Sequence, residues 1–282
     1  MNTTATISRL DHAYRFCARF ARDHYENFTL GAYLLPKPFR REFYAIYAFC
    51  RYTDDLGDEA IGDRLDLLSK WETEFSLALG DGSTHPIMIA VADTIRKHDI
   101  PENLFLRLIE ANRMDQGLVR FDSYQDLLQY CDFSANPVGE MVLHLLGEAT
   151  EVNRQLSNYS CTALQLTNFW QDIARDYAAN RVYIPLQEMN EFGVSEQDLG
   201  RRSSTESLKR LVQFEVERTR KLFYSGLPLV ERIDGTARFD ITLFSHGGLK
   251  VLRAIREQSY DVLINRPTLT CLLYTSPSPR DR

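Results

Sequence analysis

Four acidic side chains crowd into the segment DDLGDE, which spans residues 54–59. If this segment is helical, Asp54 and Asp58 share one face, while Asp55 and Glu59 share the neighbouring face. Like charges at this spacing repel each other and destabilise a helix. The ordinary explanation of such a cluster is a solvated helix end, and the functional explanation is a site that binds a cation.

A second polar stripe occurs in the segment QLTNFWQDIARD. Gln165, Asn168, Asp172 and Asp176 follow one another at steps of three, four and four residues, so they share one face of a helix. The other faces carry the apolar residues Leu164, Leu166, Phe169, Trp170 and Ile173. A polar stripe among large apolar residues is expected to face a wet cavity rather than bulk water.

Both stripes offer oxygen ligands, which is the donor type that magnesium prefers. Magnesium is often held by a few carboxylates together with phosphate groups of a substrate. A diphosphate leaves more readily when bound cations offset the charge that develops as its carbon–oxygen bond breaks. Two carboxylate helices that face each other could hold several ions for this purpose, and apolar walls would shield the resulting carbocation. Each stripe alone has a structural explanation, whereas the pair favours a metal site.

The elements that carry these stripes are predicted to be helices, because helical spacing dominates the chain and strand signals are almost absent. Ser123 and Asp126 resemble a capping box, and Pro137 interrupts an apolar stretch. The remaining region, 186–205, is predicted to be irregular or a short helix. The fold class is therefore an all-α, single-domain helical bundle. Helices are predicted at about 8–27, 39–56, 62–79, 86–98, 101–116, 124–134, 138–147, 151–177, 206–224 and 236–263.

The composition is that of an ordinary globular protein, with 44% hydrophobic and 26% charged residues among 282. A formal net charge of -6 disfavours nucleic-acid binding, which needs a basic face. The five cysteines include no Cys-x-x-Cys pair, which favours a reduced, cytoplasmic compartment over a disulfide or zinc framework. Apolar runs long enough for a transmembrane helix or a secretory signal are not found, so neither is expected. Peripheral contact with the inner membrane is compatible with this sequence.

The end of the chain changes character abruptly. Residues 267–282 (PTLTCLLYTSPSPRDR) are rich in Ser, Pro and Thr, and resemble translated vector sequence more than native protein. We therefore interpret residues 1–266 as the folded domain and 267–282 as a non-native or disordered tail. The natural chain is expected to continue differently after about Arg266.

At these motifs the chain resembles the squalene/phytoene synthase family. Matching segments are DDLGD at 54–58, Asn168 through Asp176, LLPKPFRREFYAIYAFCRYTDD, YCDFSANPVGE and NRVYIP. The resemblance covers about residues 10–266. It implies a class I isoprenoid synthase fold with a central cavity, a prenyl diphosphate substrate and magnesium as the cofactor.

The resemblance also implies roles for individual residues. The predicted magnesium ligands are Asp54, Asp58, Asn168, Asp172 and Asp176, with the four aspartates also counted as catalytic. Arg51 and Arg181 match positions that bind diphosphate. The positions that match those lining the reaction centre are Tyr130, Gln165, Tyr183 and Tyr260.

One subgroup of the family fits best. Members that condense two prenyl diphosphates commonly carry paired serines before the Leu-Pro pair, where this chain has Tyr25 and Asn27. By this match, Tyr25 and Asn27 are predicted to bind the substrate. The segments HYENF, SANPVGEMVLHLLG and QLTNFWQDIARD are similar to the bacterial subgroup that makes hydroxysqualene in the hopanoid pathway. That reaction ionises presqualene diphosphate, rearranges the cation and captures water, so no reducing cofactor is needed. Accordingly, the chain has no Gly-x-Gly-x-x-Gly nucleotide fingerprint.

Three other functions are alternatives to this one. A head-to-head prenyl synthase would make presqualene diphosphate, dehydrosqualene or phytoene, in concert with pathway-partner synthases. A non-catalytic family member acting as an assembly factor would be expected to lose its metal carboxylates, which are intact here. A di-iron oxidase bundle would need Glu-x-x-His motifs, and the sequence contains none.

Overall fold

The computed structural model describes residues 3–24, 39–235 and 237–267, with the side chains of residues 3–8 and 240 left out. Within these residues the chain is all-α, as predicted, and forms no strand beyond an isolated parallel bridge between Val119 and Arg181. The described helices are α1 (Thr3–Asp23), α2 (Arg40–Asp58), α3 (Arg64–Leu79), α4 (Pro86–His98), α5 (Asn103–Met114), α6 (Tyr124–Ser134), α7 (Asn136–Leu146), α8 (Glu151–Ala178), α9 (Leu186–Phe192), α10 (Glu196–Leu199), α11 (Glu206–Gly226), α12 (Pro228–Arg232) and α13 (Ala237–Glu257). No helix among the described residues is long and apolar enough to cross a membrane.

Several predicted boundaries are corrected by the structure. Pro137 lies in the first turn of α7, where its missing N–H costs nothing, rather than interrupting the chain before a helix. The region 186–205 contains two short helices, α9 and α10. The last helix ends at Glu257 and not near 263, because Ser259 and Tyr260 take left-handed φ angles of 54° and 61°. The capping box is confirmed: the Ser123 backbone N–H donates to Asp126 Oδ2 at 2.9 Å, and the Asp126 N–H donates to Ser123 Oγ at 3.3 Å.

The described residues divide into two compact units. The first unit takes residues up to 117, 130–158 and 229–240, and the second takes 118–129, 159–228 and residues from 241. The first acidic cluster belongs to the first unit, and the second polar stripe belongs to the second unit. The prediction that residues 1–266 act as one domain with a central cavity stays a prediction.

Helix α2 is the central element of the first unit, since it packs against α1, α3, α4, α5 and α7. Phe49 on α2 is fully buried and meets Phe105 edge-on, with the ring centroids 5.0 Å apart. The indole N–H of Trp71 on α3 donates to Thr53 Oγ1 at 2.9 Å. Because Thr53 immediately precedes Asp54, this buried bond fixes the turn of α2 on which the acidic cluster begins.

Helix α8 is anchored in a similar way within the second unit. Trp170 is fully buried, and its indole N–H donates to Thr219 Oγ1 on α11 at 2.8 Å. Helix α13 packs tightly against this pair of helices at Gly248. A Cβ at Gly248 would lie 2.2 Å from the Phe223 ring on α11 and 3.1 Å from the Leu164 side chain on α8. Glycine is therefore required at this crossing.

Substitution at two adjacent glycines of α13 tests this packing. We expect Gly248→Ala to lower the free energy of unfolding by about 1–3 kcal/mol, because the new methyl group overpacks the contact with Phe223. Gly247→Ala is the matched control, since a Cβ there meets nothing within 4 Å. The control should be neutral or stabilising by up to ~1 kcal/mol through helix propensity. Urea denaturation of both variants measures the difference, and equal stabilities would contradict the packing described.

Candidate functional site

The acids at the end of α2 divide between two helix faces. Arg51 forms an ion pair with Asp55 at 2.8 Å and donates a hydrogen bond to Glu59 at 2.9 Å, so its guanidinium offsets the charge of one face. His24 Nε2 also lies 3.6 Å from Asp55 Oδ2. Burial raises the pKa of Asp55 above its ordinary value, and the charge of Arg51 opposes that shift. The other face carries Asp54 and Asp58, as the sequence predicted.

The Asp54 side chain reaches solvent, but neighbouring protein groups influence its pKa. Its side chain is exposed, yet desolvation by the surrounding protein raises its pKa to about 7. The hydrogen bond from Asn112 opposes this rise, whereas the nearby charge of Asp58 adds to it. Asp58 lies one turn further along α2 and is exposed. The two exposed carboxylates therefore lie one turn apart on the same face of α2, and their oxygens are of the type that magnesium binds.

Three polar residues in and just after α5 were not predicted from the sequence, and two of them contact the acidic end of α2. Asn112 Nδ2 donates to Asp54 Oδ1 at 3.1 Å, and Gln116 Nε2 donates to the Gly57 carbonyl at 3.0 Å. Asp115 accepts a hydrogen bond of 2.7 Å from the Tyr130 hydroxyl. The available signal was a run of polar residues three and four apart at the end of an otherwise apolar helix.

The polar stripe of α8 is confirmed as one face of a continuous helix. Asn168 is exposed, and Gln165, Asp172 and Asp176 are partly buried. The opposite face of α8 is buried and consists of Leu166, Phe169, Trp170 and Ile173. The apolar packing therefore fixes the rotation of α8 and, with it, the direction of its amides and carboxylates.

Asp172 already has a cationic partner within its own unit. Arg266 donates from Nε to Asp172 Oδ1 at 2.5 Å and from a terminal nitrogen to Oδ2 at 2.8 Å. The neighbouring Gln171 amide donates to the Pro267 carbonyl, which holds the same segment against α8. From the sequence, Arg266 is predicted only as the end of the native chain and not as a residue of the site.

The turn after α8 positions two further predicted residues. Backbone bonds from Val182 to Val119 (3.0 Å) and from Leu186 to Phe121 (2.9 Å) hold residues 181–186 beside 119–121. Tyr183 stacks on Phe169, with ring centroids 3.8 Å apart and planes 7° from parallel. Asp176, Arg181 and Tyr183 line one recess of about 10 Å³, which has room for about one water molecule.

The remaining predicted residues are placed individually. Tyr130 is buried on α6 and bonded to Asp115, within the first unit. Tyr260 lies beyond the end of α13 and is partly buried, within the second unit. Tyr25 and Asn27 lie outside the described residues. The substrate-binding roles assigned to them stay predictions.

The donor chemistry fits magnesium. Both clusters supply hard oxygen donors from carboxylates and amides, which is the ligand type that magnesium prefers. Among the described residues, no group of three or more His, Cys, Asp or Glu side chains could hold a metal ion. Magnesium commonly completes its coordination with water or with the phosphates of a substrate.

Comparison with known proteins points to one family. The family model described as squalene/phytoene synthase matches residues 21–272. Hydroxysqualene synthase from Rhodopseudomonas palustris is 32% identical and aligns over 74% of this chain and 71% of that protein. A 15-cis-phytoene synthase from Synechococcus elongatus is 27% identical, with 92% and 89% covered. The crystal structure of squalene synthase HpnC from Alicyclobacillus acidocaldarius has a TM-score of 0.86 at 39% identity, covering 92% of this chain and 99% of that one.

Removing the cationic partner of Asp172 should change how the protein binds a metal ion. We expect Arg266→Gln to tighten Mn²⁺ binding by about fivefold, the factor that corresponds to ~1 kcal/mol of lost ion pairing. Electron paramagnetic resonance of free Mn²⁺ measures this in the absence of substrate. Arg253→Gln is the control, because Arg253 pairs with Glu257 on its own helix. An unchanged affinity in Arg266→Gln would show that Asp172 is not a metal ligand or does not have to release Arg266.

Proposed function

We propose that this chain, which belongs to the squalene/phytoene synthase family, ionises presqualene diphosphate and converts it to hydroxysqualene. The family consists of isoprenoid synthases, so the coarse activity follows from membership. The finer assignment is our proposal. The observation that carries the ionisation step is the stripe of amides and carboxylates on α8, which apolar packing holds on one face of the helix.

The two acidic clusters are proposed to hold magnesium ions that assist the departure of the diphosphate. Residues that would hold magnesium are Asp54, Asp58, Asn168, Asp172 and Asp176. When bound, magnesium would offset the negative charge of the departing diphosphate. Arg51 and Arg181 are proposed to bind the diphosphate through guanidinium groups, whose planar donors suit phosphate oxygens. In the structure Arg51 pairs with Asp55 and Glu59, so binding would require it to exchange partners.

Aromatic side chains are proposed to shield the carbocation that remains. The stacked pair of Phe169 and Tyr183 presents a buried aromatic surface next to the carboxylate stripe of α8. The negative face of an aromatic ring attracts a passing cation and brings no nucleophile to it. This pair would therefore protect the cation from premature capture while its cyclopropane ring rearranges.

Capture by water would complete the reaction. The water oxygen forms a bond to the carbocation and loses a proton, while diphosphate has departed with the electrons of the broken bond. Tyr130, Gln165 and Tyr260 are proposed to act on this water. The Tyr130 hydroxyl donates a hydrogen bond to Asp115, which fixes the direction of its O–H group. No reducing cofactor takes part in this sequence.

The choice of presqualene diphosphate rests on similarity within the family. Hydroxysqualene synthases from Rhodopseudomonas palustris and Zymomonas mobilis are each 32% identical to this chain. Tyr25 and Asn27 stand where two-substrate members commonly carry paired serines. We also propose that the protein works in peripheral contact with the inner membrane, because substrate and product carry long hydrocarbon chains that partition into lipid.

A second candidate function is a head-to-head prenyl synthase. A 15-cis-phytoene synthase aligns over 92% of this chain, which is more than the hydroxysqualene synthases cover. Such an enzyme would condense two prenyl diphosphates to presqualene diphosphate, dehydrosqualene or phytoene. The two functions differ in substrate and in the fate of the cation, so product analysis separates them.

Neutralising single carboxylates tests the role of each cluster. We expect Asp54→Asn and Asp172→Asn each to lower kcat by at least about a hundredfold, because each loses a charge that would hold the metal. The fold should persist, since Asp54→Asn relieves like-charge repulsion on its helix. Circular dichroism and steady-state kinetics in magnesium provide the measurements. Asp66→Asn on α3 is the control, because Asp66 pairs with Lys70 at the surface. A near-normal rate in either site variant would remove that helix from the proposal.

Product analysis tests the reaction itself. Incubation with presqualene diphosphate in ¹⁸O water should give hydroxysqualene that carries the label, without NADPH. Farnesyl diphosphate offered alone should not be condensed. Formation of presqualene diphosphate from farnesyl diphosphate would support the second candidate function instead. Absence of any product from either substrate would favour a non-catalytic role as an assembly factor.

A further inference from the structure

We propose that Asn112 is a positioning residue that orients the Asp54 carboxylate for cation binding, and that Gly57 is required because it makes room for Asn112. This inference rests on the proposed function, since it concerns one of the proposed magnesium ligands. It adds two residues that neither the motif spacing nor the family resemblance assigns. All of the contacts involved lie within the first unit.

The amide of Asn112 is held at both of its hydrogens. Nδ2 donates to Asp54 Oδ1 at 3.1 Å and to the Leu108 carbonyl of its own helix at 3.1 Å. Gln116 then ties the two helices together, because its Nε2 donates to the carbonyls of Gly57 (3.0 Å) and Asn112 (2.8 Å). With both hydrogens used, the amide is fixed in one orientation, and it restricts Asp54 in turn.

Gly57 explains how Asn112 reaches Asp54. A Cβ at position 57 would lie 2.3 Å from Asn112 Oδ1 and 3.1 Å from Asn112 Cγ. No side chain can therefore occupy position 57 while Asn112 keeps its present orientation. Gly57 is buried in the last turn of α2, where glycine lowers helix stability relative to alanine. The geometry thus assigns this glycine to the contact with Asn112.

A neutral amide suits a carboxylate that must also bind a cation. Asp55 and Asp172 are held by arginines, whose positive charge competes with any metal ion. Asn112 donates a hydrogen bond to one oxygen of Asp54 and brings no net charge. Asn112 thus adds no competing positive charge and bonds to only one of the two Asp54 carboxylate oxygens. A role limited to packing between α2 and α5 would not require the donor to point at the carboxylate.

The first experiment replaces Asn112 with leucine, which has similar size and no donor. We expect Asn112→Leu to weaken Mn²⁺ binding in the presence of inorganic diphosphate by about tenfold, as the loss of a hydrogen bond to a charged group implies. The magnesium concentration for half-maximal rate should rise by a similar factor, with a smaller change in kcat at saturating magnesium. A variant that loses stability but keeps its Mn²⁺ affinity would overturn the proposal.

A double-mutant cycle tests the part played by Gly57. Gly57→Ala should weaken Mn²⁺ binding in the unsubstituted background, because the methyl group displaces Asn112. In the Asn112→Ala background the same change should have no further effect on Mn²⁺ affinity, since no amide remains to be displaced. Additive effects of the two substitutions would show that Gly57 acts independently of Asn112 and would overturn this part of the proposal.

Arg113→Gln serves as the matched control. Arg113 follows Asn112 on α5 but pairs with Glu72 and Glu110, so its loss should leave Mn²⁺ binding unchanged. If Arg113→Gln weakens binding as much as Asn112→Leu, a general disturbance of α5 is responsible and the proposal fails. If the unsubstituted protein binds no Mn²⁺ with diphosphate, the proposed function fails first. Normal binding in Asn112→Leu would remove only the positioning role.

Discussion

Electrostatic repulsion between acids one helical turn apart is the constraint on which the rest of this structure depends. A helix that carries such acids is destabilised until a cation or a hydrogen-bond donor offsets the charge. The chain supplies one such partner locally, Arg51 for Asp55 on the same helix. It supplies two from distant positions, Asn112 on α5 for Asp54 and Arg266 from beyond α13 for Asp172. Arginines offset charge at Asp55 and Asp172, whereas the amide of Asn112 brings no positive charge to Asp54.

Burial of apolar side chains stabilises these helices by more than the repulsion between their acids destabilises them. Helix α2 is buried along most of its length before it reaches the acids, and α8 is buried behind its polar stripe. Burial of large side chains such as Phe49 and Trp170 is worth roughly 1.5–3 kcal/mol each, which exceeds the few tenths that one like-charged pair costs a helix. The same packing sets the rotation of each helix, so stability and the direction of the ligands have a common origin.

The sequence predicted those features that depend on local spacing. The all-α class, the faces shared by Asp54 with Asp58 and by Gln165 with Asp176, and the capping box at Ser123 all follow from periods of three and four residues. The contacts of Asn112 and Arg266 do not, because they join residues 58 and 94 positions apart, and such pairing depends on how helices pack. The end of the last helix was also misplaced, since apolar spacing continues past the left-handed Tyr260 and carries no information about its φ angle.

The two tryptophans of the chain offer a spectroscopic view of these helices. Trp71 belongs to the first unit and bonds to Thr53, directly before Asp54, while Trp170 belongs to the second unit and lies on α8 between Asn168 and Asp172. Both are buried and both indole N–H groups are hydrogen-bonded, so each should emit as a shielded chromophore. Replacing one at a time with phenylalanine would give two single-tryptophan proteins, whose emission shifts report separately on the order of each acid-bearing helix.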